Sequence, residues 1–309
     1  MVSVLSLSMS WAVGAAEGYV TLIKDASYSA GYGFGYAAYW SEVVDNPATR
    51  DYLVSNGRTF STTQHEEVPA KSLTFGVVGG NKGKYRAYYG ATYTGSDGLI
   101  FANGYLWTYY KSVTLEAAKF TVTSPKSEPF EFYSTGYRNG DLTFSGDMYA
   151  AKDCGIVLYA QQLYNNTAPR FMFKGVMSGY LGSIDARPLY DANGAPIPVE
   201  LFFSEKASNL GGSLTLGKGT ILTSAVNLSV DSLAIGEDVN INLTLGSSSI
   251  RVRNTLTIEG NKPVAIALTG APKSGVSEVV RYGLIEMPIQ SDFTADDFII
   301  TNPGTSVWP

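Results

Sequence analysis

The 309-residue sequence contains one cysteine, Cys154, and one histidine, His65. A single thiol has no partner for an intramolecular disulfide, so the fold must be held together by packing. Cys154 opens the apolar run Cys154-Gly-Ile-Val-Leu-Tyr159, which predicts a buried, unreactive side chain. One histidine and one distant cysteine fall short of the three or four ligands that a zinc site needs. His65 lies in the polar stretch Thr63-Gln-His-Glu-Glu67 with no Gly-x-Ser-x-Gly elbow beside it, and reads as a solvated loop residue rather than a catalytic base. Charge is also scarce: Asp, Glu, Lys and Arg make up 16% of the chain, where about a quarter is usual. With a formal net charge of −5 and no basic stripe, the sequence argues against a nucleic-acid partner, since neutralising phosphate needs clustered Lys and Arg. Beyond the N-terminus there is no run of about twenty apolar residues, so no transmembrane helix is expected. Helical periodicity is nearly missing, and residues 113–119 are its only short candidate.

What the sequence has instead is alternation. Between Ser213 and Gly270 the groups Leu214/Leu216, Val226/Leu228/Val230, Leu233/Ile235, Val239/Ile241/Leu243/Leu245, Ile250/Val252, Leu256/Ile258 and Val264/Ile266/Leu268 keep a period of two, which turns one apolar face inward. Gly217, Gly219, Asp231, Gly236, Gly246, Asn254 and Gly260 separate them, residues that supply turns cheaply. A strand this short cannot bury its face alone, whereas stacked strands share one continuous core. The pattern predicts an all-β, single-domain parallel β-helix, or β-solenoid.

The same texture extends towards the N-terminus. Residues 1–16 are apolar and rich in small residues, and Gly14-Ala15-Ala16 before Glu17 resembles a signal-peptidase site; no Lys or Arg precedes Lys24, so a truncated signal peptide is expected. Residues 17–309 then form the solenoid. Residues 19–75 make an aromatic-rich N-terminal cap and the first strands, residues 76–270 the rungs, and residues 271–309 the C-terminal strands. Asn56-Gly57 is a tight hairpin signature. Residues 185–198, with Pro188, Asn193-Gly194, Pro196 and Pro198, read as an inserted loop, because proline cannot donate within a central ladder. Residues 99–110 read as one strand run. Tyrosines crowd the chain up to about residue 190, after which only Tyr282 follows, so the two halves share a fold and differ in surface chemistry.

Several segments resemble the opening of bacterial autotransporter-like surface β-helix passengers: Val20-Thr-Leu, Tyr39-Trp40-Ser41, Asp51-Tyr-Leu-Val-Ser-Asn-Gly-Arg-Thr59 and Lys71-Ser-Leu-Thr-Phe-Gly76. Tyr282-Gly-Leu-Ile-Glu-Met-Pro288 and Phe293-Thr-Ala-Asp-Asp-Phe-Ile-Ile300 are similar to their closing strands. The resemblance implies a right-handed β-helix, secreted or displayed on the outer cell surface, with a structural or adhesive role. It supplies no catalytic motif to carry over. In those proteins a further strand follows the closing segment, which implies that this sequence belongs to a longer surface protein. A rung left open after Val307-Trp308 is expected to favour end-to-end self-association.

Catalysis is not expected. A β-helix polysaccharide lyase or hydrolase needs carboxylates gathered on one face. The Asp296-Asp297 pair reads as a polar corner, and Glu128, Glu131, Asp141 and Asp147 are isolated along the chain. Leu210-Gly-Gly-Ser-Leu-Thr-Leu-Gly217 begins like a calcium-binding nonapeptide repeat but lacks its Asp ligand, and no cofactor or metal is expected. The aromatic set is the functional lead. Tyr105, Trp107 and Tyr109 alternate and so share one side of a strand, with Tyr88 and Tyr89 nearby. Two readings stand: an internal aromatic stack, or an exposed face that binds glycans or a host or cell-surface protein.

Overall fold

The computed structural model describes residues 18–25, 34, 37–62, 65–108, 112–134, 140–161, 168–260, 262–270, 283–287 and 293–301. The expected signal peptide and most of the expected C-terminal strands lie outside these residues. The described strands form two sheets, one of 14 strands and one of 11. The chain visits them in turn: Asp51–Val54 lies in the first sheet, Thr59–Thr62 in the second, Ser72–Phe75 in the first and Gly83–Ala87 in the second, an alternation that continues to Val264–Thr269 and Ile285–Glu286, with Glu66–Val68 and Ala91–Tyr93 as extra short strands of the first sheet. Neighbours within a sheet therefore come from successive turns of the chain, and they pair in parallel. This is the parallel β-helix that the alternation predicts.

The period of two does the sorting. In Gly83–Ala87 and Phe130–Ser134 every second residue is buried and the residues between are half-exposed. Inward residues from Val20 to Leu268 join in one hydrophobic cluster. Parallel register stacks like on like: Phe75 lies opposite Phe101, and Phe144 opposite Phe173, which in turn lies opposite Phe203. Ring centroids in this inner stack are 5.1–6.2 Å apart, within the range of favourable aromatic contact. After Phe203 the same inward column continues as Ser224, Leu243 and Leu268, so the core changes from aromatic to mostly aliphatic. At the N-terminal end Trp40 packs edge-on against Tyr52, centroids 4.8 Å apart, and its indole N–H donates to the Phe34 carbonyl at 3.1 Å. Phe34, Trp40 and Tyr52 thus form a buried cluster of rings beside the first strands.

Within Ser213–Gly270 the inward residues are buried as the alternation predicts, except that Val226, Leu245 and Ile258 are only half-buried near strand ends. Ile221–Ser224 adds a strand that the turn pattern hid, with Leu222 inward. Asp231 and Asn254 do not break strands. They sit inside Leu228–Ile235 and Ile250–Ile258, where Val230 pairs Val252 but Ser232 pairs Thr255, so the ladder slips by one residue. Asn254 Nδ2 donates to Asp231 Oδ1 at this bulge.

Four other expectations are corrected. Residues 113–119 lie not in a helix but in the strand Val113–Val122, which pairs along its length with Leu142–Ala150 and, on its other edge, with Ala91–Tyr93 and then Gly98–Phe101. Asn56 and Gly57 take positive φ of 54° and 70°, as a tight turn requires, yet the strands on either side enter different sheets. The pair makes a corner of the solenoid rather than a hairpin. Residues 99–110 contain two strands, Gly98–Phe101 and Gly104–Thr108, one in each sheet. Residues 185–198 are not a loop throughout: Ser183–Tyr190 is a strand of the second sheet, and its outer end folds back in an antiparallel hairpin on Pro196–Ile197, with Leu189 opposite Ile197. Pro188 is tolerated because it pairs only with Ala160, the strand Ser213–Leu216 on the other side having ended opposite Ala186.

Candidate functional site: an aromatic pavement on the second sheet

The outer face of the second sheet carries the chemistry. Parallel register places outward residues of successive strands side by side, forming two rows. One row runs Arg86, Trp107, Tyr133, Tyr159, Arg187. The other runs Lys84, Tyr105, Glu131, Val157, Asp185. The four aromatic side chains are half-buried.

The rings touch one another. Tyr105 and Trp107 stack with centroids 5.1 Å apart, Tyr105 meets Tyr133 edge-on at 6.3 Å, and Tyr133 stacks on Tyr159 at 4.9 Å with planes 17° apart. Cations flank them: Lys84 Nζ lies 5.8 Å from the Tyr105 centroid, and the Arg86 guanidinium lies 4.7 Å from that of Trp107, both within cation–π range. At the opposite end Arg187 is locked to Asp185 through Nε at 2.7 Å and Nη2 at 2.6 Å, which raises its pKa further. The Tyr133 hydroxyl donates to Glu131 at 3.0 Å. Burial pushes the Tyr133 phenol well above its usual value and the Glu131 charge pushes it further. Burial likewise raises the Tyr159 phenol, opposed by Arg187. Both phenols stay protonated at any physiological pH and keep an O–H to donate.

Tyr105 and Trp107 share one face as the alternation predicts, and that face points outward, so they do not belong to the internal stack. Tyr109 lies outside the described residues. Tyr88 is buried at the corner after Gly83–Ala87, where its hydroxyl accepts from Arg86 Nη1 at 3.2 Å, so it supports the pavement from beneath. Tyr89 lies beyond that corner and outside the two rows, partly exposed, its carbonyl accepting from Thr62 Oγ1 at 2.9 Å. Tyr133, Tyr159, Arg86 and Arg187 were not legible as partners of Trp107. Trp107, Tyr133 and Tyr159 follow one another at 26 residues, but Arg86 precedes Trp107 by 21 and Arg187 follows Tyr159 by 28, so no single interval marks the row.

The remaining candidates are dispersed. Asp141 is held by Arg170, with Nη2 at 2.7 Å, and Asp147 Oδ1 accepts the Val176 N–H at 2.9 Å. Both belong to the first-sheet side, whereas Glu131 faces out from the second. Asp297 Oδ2 accepts the Thr294 N–H at 2.7 Å within a 3-10 turn, the polar corner expected of that pair. His65 is exposed and lies 3.2 Å from Thr92 Oγ1. Cys154 is buried, and burial pushes its thiol pKa up. Among the described residues, no three His, Cys, Asp or Glu side chains gather in a way that could hold a metal ion, and no helix is long and apolar enough to cross a membrane. Comparison with protein-family models, with curated proteins and with solved structures finds no match to this chain.

Proposed function

We propose that the chain is a secreted or cell-surface β-helix passenger of the autotransporter-like kind that adheres to glycans through the outer face of its second sheet. The observation that carries this reading is the contiguous Tyr105–Trp107–Tyr133–Tyr159 pavement, whose half-buried rings pack against one another on the outer side of the sheet. The apolar face of a pyranose stacks on such rings, and Tyr and Trp offer that area with a polar edge for hydroxyls. Strand spacing of about 4.8 Å sets the repeat of the rows and is comparable to the length of one sugar unit. Glu131, Asp185 and Arg187 stand in the same rows and can take the hydroxyls.

Binding is favoured over cleavage by a particular observation. Glu131 and Asp185 share a row, but Glu131 already accepts from the Tyr133 hydroxyl and Asp185 is paired with the Arg187 guanidinium. Neither is set up to protonate a leaving group.

Native gels cast with soluble polysaccharides test the proposal. Retardation by at least one polymer, reduced about tenfold or more by Trp107→Ala, is expected, since loss of a stacking ring costs about 1–3 kcal/mol. Tryptophan fluorescence should change on binding. Failure of every polymer in a broad panel, or retardation unchanged in both Trp107→Ala and Tyr133→Ala, would remove the glycan reading. Antibody labelling of intact producing cells tests the location, with labelling only after lysis counting against it.

A further inference from the structure

We infer that the pavement takes an anionic glycan, with a carboxylate or sulfate of the sugar seated on Lys84 and Arg86 while the ring stacks over Tyr105 and Trp107. This rests on the glycan reading and sharpens it to a substrate class. Lys84 and Arg86 are two apart on one strand and both face outward, so the pleat places them side by side about 7 Å apart. Neither takes part in an ion pair among the described residues, whereas Arg50, Arg170 and Arg187 each have a carboxylate partner. Arg86 is also incompletely satisfied. Its Nη1 donates to Tyr88, but its Nε is enclosed with no acceptor, which is costly for a buried donor. Its plane is already fixed by Trp107 and Tyr88, so little freedom remains to be lost when an oxyanion settles beside the guanidinium.

The negative groups of the face are placed to orient such a ligand. Glu131 lies opposite Tyr105, two strands away from Lys84, and is engaged by the Tyr133 hydroxyl. Asp185 lies two strands further on and is neutralised by Arg187. Charge thus runs from positive at the Gly83–Ala87 strand to acidic or paired beyond it. An acidic sugar unit belongs at the Lys84–Arg86 end, and neutral units extend over Tyr133 and Tyr159. The chain as a whole carries a net charge of −5, which opposes diffuse attraction of polyanions. Any preference for them must come from a local site.

The experiment pairs polymers that differ in charge alone: dextran with dextran sulfate, and a polyuronate with its fully methyl-esterified form. The two pairs separate sulfate from carboxylate as the recognised group. Affinities are read from gel retardation or calorimetry for the full chain, for Lys84→Gln and Arg86→Gln, and for Lys262→Gln, a distant exposed cation. At least one charged polymer is expected to bind about tenfold more tightly than its neutral partner, the scale of one charge-assisted hydrogen bond. The advantage should shrink as salt is raised and fall towards the neutral level in each site variant, with binding of the neutral polymer and the Lys262→Gln control unchanged. The salt series on the unmodified chain keeps the test decisive should Arg86→Gln fail to fold. Equal binding of charged and neutral polymers, or an advantage that survives in Lys84→Gln and at high salt, overturns the inference while the glycan reading stands. Failure of all four polymers overturns it, and with failure of the broader panel the glycan reading falls too.

Discussion

Gly76 and Gly57 have similar backbone angles and very different surroundings. At Gly76, with φ +75°, an added methyl carbon would lie 1.7 Å from the Asn103 carbonyl oxygen, a backbone atom of the next turn that cannot swing aside. At Gly57, with φ +70°, the same carbon meets nothing within 4 Å. Gly57→Ala should therefore cost only the left-handed backbone penalty of about 1–2 kcal/mol, whereas Gly76→Ala should cost about 3 kcal/mol or more, because two turns must separate. Urea unfolding of the two variants checks the contrast, and equal losses would show that the stack yields at the corner. In the sequence Gly57 is legible as a turn residue, although as part of a hairpin rather than a corner. Which of the two glycines touches the neighbouring turn depends on stacking register, which local sequence does not encode.

Strands and turns show the same division between local preference and tertiary context. Leu115-Glu-Ala-Ala-Lys119 has helix-forming composition, and in isolation it reads as helix. It is a strand because Val113, Leu115 and Ala117 fill inward positions between neighbours already paired on both edges. A helix there would leave those edges open, so packing overrides propensity. The Asn-Gly pairs make a complementary case. Asn193-Gly194 closes a true hairpin with positive φ at Gly194, 79°, and not at Asn193, while Asn56-Gly57 turns a corner between sheets with positive φ at both residues. The difference lies in what the flanking strands find to pair with. The hairpin tip, residues 191–195, is exposed and projects beyond the stacked turns. Inserting a short Gly/Ser segment between Asn193 and Gly194 should leave thermal stability within about 1 kcal/mol, because lengthening a surface loop costs little closure entropy. A marked drop in melting temperature would mean that the tip braces the solenoid.

Across the whole molecule, the solenoid and its inward columns could be read from alternation, while only part of the candidate site could. Tyr105 and Trp107 belong to one strand and announce themselves by period two. Tyr133 and Tyr159 are hidden in Phe130-Glu-Phe-Tyr133 and Ile156-Val-Leu-Tyr159, where the apolar neighbours draw the eye, and they join Trp107 only once the turn length between strands is known. That length is not constant: the Phe203 column advances by 21 residues to Ser224 and by 19 more to Leu243. No fixed repeat could have been laid over the chain to find the rows.

Parallel stacking also sets how the molecule yields to force. The ladder bonds of both sheets run between turns, along the direction in which the turns stack, so tension along that direction loads them in series and peels one turn at a time from an end. A turn contacts mainly its immediate neighbours, so each release is a separate event rather than a global collapse. Between Trp107 and Tyr159, where turns are 26 residues long, each event should free about 90 Å of chain at ~3.4 Å per extended residue. Single-molecule pulling from the two ends should give a sawtooth with increments near that length, and one large rupture would show that the stack breaks as a block. Were the proposed adhesive role to hold, the chain would lengthen stepwise under drag and lower the load on its bound ligand at each step.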